Sequence, residues 1–224
     1  MAVMTEAVWP LTGLVVVTPR LKLRYITDDL GTDLARLAAQ GVHDPATMPF
    51  STPWTDVPSP ELERNTMRFY WRNRVETSVE HWDLNLAAVV DEVSKEVTVG
   101  MCSIEADAFP ARRTAETGSW LGREYQRRGI GREMREAALH LIFAGFDADQ
   151  ATTQAWHDNA ASLGVTRSLP YTHTGTSRPP RRARPDTMLS FVMTARQWTT
   201  VRRNDIQIHG IEAARAMLGT ARAR

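Results

Sequence analysis

Little in this sequence is extreme: it has one cysteine, almost no net charge and no apolar run of the length that a membrane span needs. A single cysteine, Cys102, cannot form an intrachain disulfide, which is typical of a protein from a reducing cytoplasm. The 27 basic and 26 acidic side chains nearly cancel, so nothing favours nucleic acid or an anionic membrane as a partner. Pro10 and Gly13 interrupt the short apolar run near the start, which predicts no secretory signal. We therefore expect a cytoplasmic protein.

Two kinds of reactive site also lack support. The histidines His81, His157 and His173 are scattered, and no group has the spacing of metal ligands, so we predict that no metal is bound. Cys102 lies in an apolar, strand-like segment, 97–107, where the favoured role is a small buried hydrophobe rather than a nucleophile. Any anion site must therefore come from a local arrangement of other residues.

Apolar periodicity predicts a mixed α/β sheet rather than the strict alternation of a doubly wound one. A proline-rich loop without periodicity separates the first two helices, and loops of this length are often binding loops. Strands are predicted at 20–26, 82–91, 96–106, 116–125, 150–156, 171–177 and 187–194, with helices at 27–41, 60–79, 130–146 and 158–169, a polar turn at 92–95 and a basic, proline-rich loop at 178–186. The last thirty residues, 195–224, read as a helical appendage with a frayed basic end.

One stretch combines three glycines with a cationic pair where a helix is about to begin: WLGREYQRRGIGREM, residues 120–134. A strand that runs through a glycine turn into a helix gathers free backbone N–H groups, which favour a bound anion. Arg127 and Arg128 add charge, and Gly129 and Gly131 allow a diphosphate to approach the backbone. Neither the P-loop nor the dinucleotide fingerprint matches, because Arg132 follows the last glycine and the G-x-G-x-x-G spacing fails. A solvated basic turn is the alternative.

The same stretch, with GSW before it and EAALHLIFAGF after it, resembles the acyl-CoA-binding core of the GCN5-related N-acetyltransferase (GNAT) superfamily. Its signature, Q/R-x-x-G-x-G/A, is matched by Gln126, Gly129 and Gly131. The segment AWHDNAASLGVTRSLPYTHTG resembles the next family block, and TPRLKLRYITDDL the first strand and helix of the RimJ/RimL-like branch. The resemblance implies a GNAT fold: a central, mostly antiparallel, twisted sheet flanked by helices. It spans residues 18–194, between an extension at 1–17 and the C-terminal appendage.

The resemblance also implies a binding site for acetyl-CoA or another acyl-CoA. The strand before the turn would offer backbone groups to the pantetheine arm, the turn would hold the pyrophosphate, and the asparagine of the second block would hydrogen-bond the pantetheine. The residues concerned are Trp120, Leu121, Gly122, Gln126, Arg127, Arg128, Gly129, Ile130, Gly131, Arg132, Asn159 and Ser162. A plain helix N-cap is the alternative role of Asn159.

An amine that attacks a thioester must lose a proton, and a carboxylate can take it. Glu116 is the first candidate for this base and Glu105 the second, because both lie on predicted central strands. Relatives commonly place a tyrosine seven residues after the asparagine to protonate the thiolate, where this chain has Thr166. The expected donor is then Ser162 or water, and a site with no donor is the remaining alternative. Pro170 departs from the usual Leu-Gly-Tyr, which implies a different turn after that helix.

The resemblance implies an N-acetyltransferase that acts on a small-molecule amine or a protein N-terminus in a ternary complex. Phe50 and Trp54 of the proline-rich loop and Tyr70 and Trp71 of the second helix would flank the acceptor cleft. An acyl-CoA sensor without turnover is one alternative, and a succinyl-CoA-using transferase, with arginines of 178–186 meeting the carboxylate, is another. A homodimer is plausible, since relatives are often dimers.

Overall fold

The computed structural model describes residues 7–92 and 95–221, and one large sheet forms its centre. Its strands are β1 Val15–Val17, β2 Leu21–Tyr25, β3 His81–Glu92, β4 Lys95–Asp107, β5 Thr114–Leu121, β6 Gln150–Trp156, β7 Thr172–Ser177, β10 Met188–Thr194 and β11 Gln207–His209, and a separate ribbon contains β8 Pro180–Arg181 and β9 Arg184–Pro185. In space the order is β11-β1-β2-β3-β4-β5-β6-β10-β7. Only β5 and β6 pair in parallel among the described strands.

Helices cover both faces of this sheet. They are α1 Asp28–Gln40, α2 Glu61–Glu76, α3 Phe109–Arg112, α4 Ile130–His140, α5 Ala160–Arg167, α6 Ala195–Thr199 and α7 Ile211–Leu218, and α4 continues into a π-helical turn, Leu141–Gly145. The mixed, mostly antiparallel sheet flanked by helices confirms the predicted fold class. Within the described residues, no helix combines the length and apolar character that crossing a bilayer requires.

The first helix shows how local sequence sets an element. The side chain of Thr27 accepts a hydrogen bond from the amide of Leu30, which caps the start of α1, and two aspartates favour the positive end of the helix dipole. Leu34 and Ala38 recur at helical spacing and are buried. Gly41, with φ of 113°, ends the helix because a side chain is rarely accommodated there. The predicted helix 27–41 is thus confirmed to within one residue at each end.

Two apolar layers hold the sheet. On the first face, α1 and α2 pack against Ala87, Val89 and Met101 of β3 and β4; we call this the α1–α2 face. On the opposite face, which we call the α4 face, α4 packs against the larger core, including Cys102. Cys102 is 2% exposed, which confirms that it is a buried hydrophobe. Side chains along a strand alternate between these two environments.

The segments outside the predicted domain 18–194 pair with each other. Val15–Val17 lies between β2 and the tail strand, and Val16 pairs with Ile208. The tail therefore contributes an edge strand as well as helices, which its sequence did not predict. Trp198 and Leu218 of the tail are buried in the larger core. Residues 222–224, at the predicted frayed end, and Val93 and Ser94, at the predicted polar turn, lie outside the described residues.

The proline-rich loop is tied down rather than detached. Arg181 of the β8–β9 ribbon donates to the carbonyl of Met48 at 2.7 Å and pairs with Asp158 and Asp186. The neighbouring Arg182 forms a two-pronged ion pair with Asp56 (2.7 and 2.8 Å). The ribbon and the loop, 42–57, are thus joined by these two arginines, a connection that we call the arginine clasp.

Candidate active site

The centre of the site is a separation between two neighbouring strands. Residues 114–116 of β5 pair with 150–152 of β6, and the ladder ends there. Two reciprocal hydrogen bonds close the junction: the Thr117 hydroxyl donates to the carbonyl of Thr152 (3.2 Å), and the Thr153 hydroxyl donates to the carbonyl of Thr117 (3.1 Å). Both strands continue past this point without pairing to each other. We call the resulting gap the split.

The split leaves backbone groups of a central strand without a ladder partner. The carbonyl of Thr117 accepts a hydrogen bond from Thr153, and the carbonyl of Leu121 accepts one from Gln126. Both carbonyls therefore point away from β4. Because strand residues alternate in direction, the amide and carbonyl of Ser119, midway between them, face the same side. Ser119 is exposed even though its strand is central. A ligand in the split can therefore add to the sheet by bonding to Ser119.

The glycine turn, 126–131, leads from the end of β5 into α4. Gly129 has φ of 78° and Arg127 φ of 61°, both in the left-handed region. Gly129 is exposed, and α4 begins at the next residue, Ile130. The first amides of a helix have no intrahelical acceptor, so those near Gly131 remain available to an anion. The turn and the split lie side by side, since a Cβ on Gly131 would be 3.6 Å from Leu121 of β5.

Gln126 faces the protein rather than solvent. Its side-chain amide donates to the carbonyl of Val42 at 2.7 Å and to the carbonyl of Leu121 at 2.9 Å. These bonds join the glycine turn to β5 and to the loop after α1. The structure therefore places the Gln126 side chain as a support for the turn and leaves the backbone of the turn to meet a ligand.

A second support lies under the first turn of α4. Glu133 is buried and accepts from the Thr18 hydroxyl at 2.6 Å and from the Arg20 guanidinium at 2.5 Å. Burial opposes its ionisation, but these hydrogen bonds lower the pKa of Glu133 below its usual value. Arg20 also donates to the carbonyl of Arg128 at 3.1 Å. The Arg20 charge thus neutralises a carboxylate that would otherwise repel an anion at the turn.

The three arginines expected to meet a phosphate differ in their surroundings. Arg128 lies over the ring of Tyr125, with 5.6 Å from guanidinium carbon to ring centre. Arg132 forms an ion pair with Glu136, one turn further along α4, at 3.0 Å. Arg127 is exposed and has no ion pair within the described part of the chain. Arg127 is accordingly the cation most available to a ligand.

Asn159 is the N-cap of α5, which is the alternative to the ligand-binding role expected for it. Its Oδ1 accepts from the amide of Ser162 at 3.1 Å, and its Nδ2 donates weakly to the carbonyl of Pro49 at 3.4 Å. The cap joins α5 to the proline-rich loop. Thr166, at the position of the tyrosine in relatives, is fully buried. A hydroxyl sealed from solvent in this way cannot donate to a sulfur atom in the split.

Aromatic rings converge on the α1–α2 face of β5. Phe50 and Trp54 from the proline-rich loop are 5.1 Å apart, and Trp54 is 5.8 Å from Trp120, between ring centres. Trp120 thus brings a side chain to this face, whereas its backbone faces β4, because the alternation that turns Ser119 toward the split turns Trp120 away from it. Tyr70 is instead buried in the core, and Trp71 lies on the surface with its indole donating to Asp28. The structure therefore separates the two residues of α2 from the aromatic row.

Three carboxylates cross the same face on adjacent strands. Asp83 of β3 is paired with Glu105 of β4, and Glu105 with Glu116 of β5. Neighbouring strands are about 4.8 Å apart, so these like charges repel. Burial, then Glu105, raises the pKa of Asp83 to about 7. Burial and Glu105 also raise the pKa of Glu116, although Arg135 opposes this rise. A carboxylate with a raised pKa is a better proton acceptor.

One histidine joins this acidic surface. His81 of β3 is 2.7 Å from Asp107 of β4, and that hydrogen bond is the main reason that its pKa is raised. Glu105 lies nearby, so that one potential ligand atom from each of the three residues falls within 4.8 Å. The sequence did not predict this proximity, because it depends on the register of the long β3–β4 hairpin, at whose open end His81 is paired with Asp107. The contacts shown here are those of an ion pair.

Comparison with known proteins assigns the family. A family described as the acetyltransferase (GNAT) domain matches residues 20–172, more than half of the chain. The chain belongs to the GNAT family. The match covers β2 through the start of β7, and hence the split, the glycine turn and the cap of α5.

Solved GNAT structures share the fold. A GCN5-related N-acetyltransferase from Brucella melitensis is 16% identical, with a TM-score of 0.65 over 84% of this chain and 81% of that one. RimL, a ribosomal L7/L12 alpha-N-protein acetyltransferase, is 18% identical, with a TM-score of 0.62 over 80% and 92%. The microcin C7 self-immunity acetyltransferase MccE, solved with acetyl-CoA and AMP, is 14% identical, with a TM-score of 0.62 over 79% and 93%.

Some residues that shape this GNAT site were not predicted. Arg20 and Glu133 support the glycine turn, and Asp83 extends the carboxylate row. Arg181 and Arg182 of the basic loop are engaged in the arginine clasp, so neither is free to meet a succinyl carboxylate. Of these features, only the position of Asp83 could have been predicted from the sequence, because the alternation of β3 puts Asp83 on the same face as Ala87.

Proposed function

We propose that this GNAT protein is an N-acetyltransferase that carries an acetyl group from acetyl-CoA directly to an amine in a ternary complex. The observation that carries the proposal is the split, whose exposed Ser119 lies beside the anion-binding geometry of the glycine turn. The backbone of β5 and the first amides of α4 could then bind a single elongated ligand that has a diphosphate at one end.

The donor side fits such a ligand. The amides at the start of α4 and the exposed Arg127 would hold the diphosphate. The amide and carbonyl of Ser119 would bond to the peptide-like groups of the pantetheine arm, as an added strand does. The open part of β5, Gly118–Leu121, is four residues long, or roughly 13 Å at about 3.3 Å per residue.

The closed end of the split favours a short acyl group. Thr117 is 4% exposed and Thr153 is 1% exposed, and their reciprocal bonds block the path beyond Gly118. A longer acyl chain would have to displace these bonds. Acetyl therefore fits better than a larger acyl group.

The acceptor would approach from the α1–α2 face. Alternation places Glu116 and Trp120 on that face, on either side of Gly118, which presents only backbone. The carboxylate row favours a positively charged amine, and the ring of Trp120 can lie against it. We favour a small-molecule amine or a protein N-terminus, and the fold match to RimL supports the latter.

Glu116 is the proposed base. The amine loses a proton to Glu116, directly or through water, and its nitrogen bonds to the acyl carbon. The carbon–sulfur bond then breaks, and sulfur leaves with the electron pair. Holding both substrates across one strand supplies much of the rate enhancement, and Glu105 acts through the pKa of Glu116 rather than as the base itself.

A direct assay tests the proposal. The protein is incubated with acetyl-CoA and a panel of amines and N-terminal peptides, and free thiol is followed. We expect thiol release that depends on the amine, and acetylated product by mass spectrometry. Calorimetric binding of coenzyme A without thiol release from any amine would instead favour the acyl-CoA sensor.

A further inference from the structure

Arg135 of α4 is a buried cation with almost no protein partner. Arg135 is only 6% exposed to solvent. In the described part of the chain, its one side-chain hydrogen bond is a long contact, 3.5 Å, from Nη1 to the hydroxyl of Tyr171. No carboxylate there lies within ion-pairing distance of it. Burial of a charge without a counter-ion costs free energy, and arginine cannot lose its proton to avoid this cost.

Three relations place Arg135 beneath the split. It lies one helical turn after Gly131, on the same side of α4, and Gly131 faces Leu121 of β5 and Val165 of α5. One turn of helix advances about 6 Å, close to two strand residues, which brings Arg135 under Ser119. Its charge also acts on the pKa of Cys102, the residue paired with Ser119, although burial raises that pKa to about 12.

The guanidinium therefore lies on the α4 face of the split, opposite the face from which the acceptor would come. We propose that Arg135, with the hydroxyl of Tyr171, forms an anion site that holds the sulfur of coenzyme A as it departs as a thiolate. This inference rests on the proposed function, because it concerns the same ligand. It supplies the group that Thr166, sealed in the core, cannot supply.

The step balances without another reactant. The carbon–nitrogen bond forms, the carbon–sulfur bond then breaks, and the electron pair of the broken bond stays on sulfur. The proton of the amine goes to Glu116 and then to solvent. Arg135 stabilises the charge on sulfur and exchanges no proton, and it acts more strongly on the thiolate than on the neutral thioester, so it lowers the barrier.

A carboxylate on the acyl group is the other anion that Arg135 could meet. The closed end of the split at Thr117 and Thr153 argues against it, since a dicarboxylic acyl chain extends beyond the thioester. Every turnover produces a thiolate, whichever amine is used. We therefore assign the site to sulfur, and a preference for succinyl-CoA becomes an outcome of the test.

Coenzyme A itself is the probe, so the test needs no known acceptor. Wild type, Arg135→Met and Arg167→Met are each saturated with coenzyme A, and the ultraviolet absorbance of the thiolate is titrated against pH. Arg167 is an exposed arginine on α5 and serves as the matched control. We expect the pKa of the bound thiol to be higher in Arg135→Met by about 1 unit or more, and unchanged in Arg167→Met.

Further readouts separate this role from a structural one. At a pH well above the pKa of Glu116, which Arg135 also lowers, kcat in Arg135→Met should fall by about 10²-fold with little change in KM for acetyl-CoA. The melting temperature should hold or rise, because an uncompensated buried charge is removed. An unchanged thiol pKa in a variant that still binds coenzyme A overturns this assignment alone, and so does a preference for succinyl-CoA that Arg135→Met abolishes. Failure of wild type to bind coenzyme A overturns the proposed function as well.

Discussion

At Gly129 a side chain would disturb both the left-handed backbone of the turn and the proposed binding of the diphosphate. Replacing it by alanine puts a Cβ on a residue with φ of 78°, where an L-residue costs about 1–2 kcal/mol. The new Cβ would also lie 3.2 Å from Nη2 of Arg20, whose guanidinium must then move. For a chain of this size each kcal/mol lowers the melting temperature by about 2–4 °C. We therefore expect Gly129→Ala to melt roughly 2–8 °C below wild type.

The same change should weaken coenzyme A binding. A lost or lengthened hydrogen bond to a charged phosphate costs about 1.5–3 kcal/mol, or roughly a tenfold or greater rise in Kd. Calorimetry at a temperature well below melting measures this separately from stability. Because the loss is specific to the anion, the salt dependence of binding should also become shallower.

Gly164 offers a matched control on α5. Its position is helical and exposed, and a Cβ would meet no atom within 4 Å. Gly164→Ala should therefore raise stability by up to about 1 kcal/mol and leave coenzyme A affinity unchanged. If Gly129→Ala matched Gly164→Ala in both stability and affinity, the turn would need neither the left-handed conformation nor a close ligand, and our account of it would be wrong.

Other substitutions test the chemistry. Glu116→Gln should lower kcat by about 10²-fold or more in steady-state assays. Since the active form of Glu116 is deprotonated and its pKa is raised, the wild-type rate should fall as pH drops through that raised pKa. Glu105→Gln should lower the pKa of Glu116 and so move the acidic limb of the pH–rate profile to lower pH. An acidic limb that does not move would contradict the electrostatic coupling between Glu105 and Glu116. Arg127→Met should raise the Kd for coenzyme A with no change in melting temperature. Thr166→Tyr should lower the melting temperature without raising kcat, because Thr166 is fully buried and overpacking costs about 1–3 kcal/mol.

Periodicity and turn chemistry were enough to predict most of the fold. The helix from Ile130 and the strand Gln150–Trp156 begin where their sequence signals place them. These signals are local: a glycine turn, a cap, or alternation over six or seven residues. The strand that ends at Leu121 was predicted to reach residue 125, but Arg123–Tyr125 forms a short 3-10 helix instead.

What the sequence could not show depends on distant partners. The pairing of β1 with β11 joins residues near opposite ends of the described chain. Gln126 looks like a ligand-binding residue in its motif, and only its distance to the carbonyl of Val42 reveals a supporting role. Arg135 is one of several arginines around the glycine turn, and nothing local distinguishes the buried one from the exposed ones.

The arginine clasp has a consequence for the order of events. Arg181 pairs with Asp158, which immediately precedes the cap residue Asn159, and also holds the loop at Met48. The proline-rich loop, which carries Phe50 and Trp54, therefore shares an anchor with α5, the helix that Asn159 caps. If the donor binds against Asn159 as proposed, it would steady this loop before any amine arrives, and we therefore expect sequential kinetics in which the donor binds first.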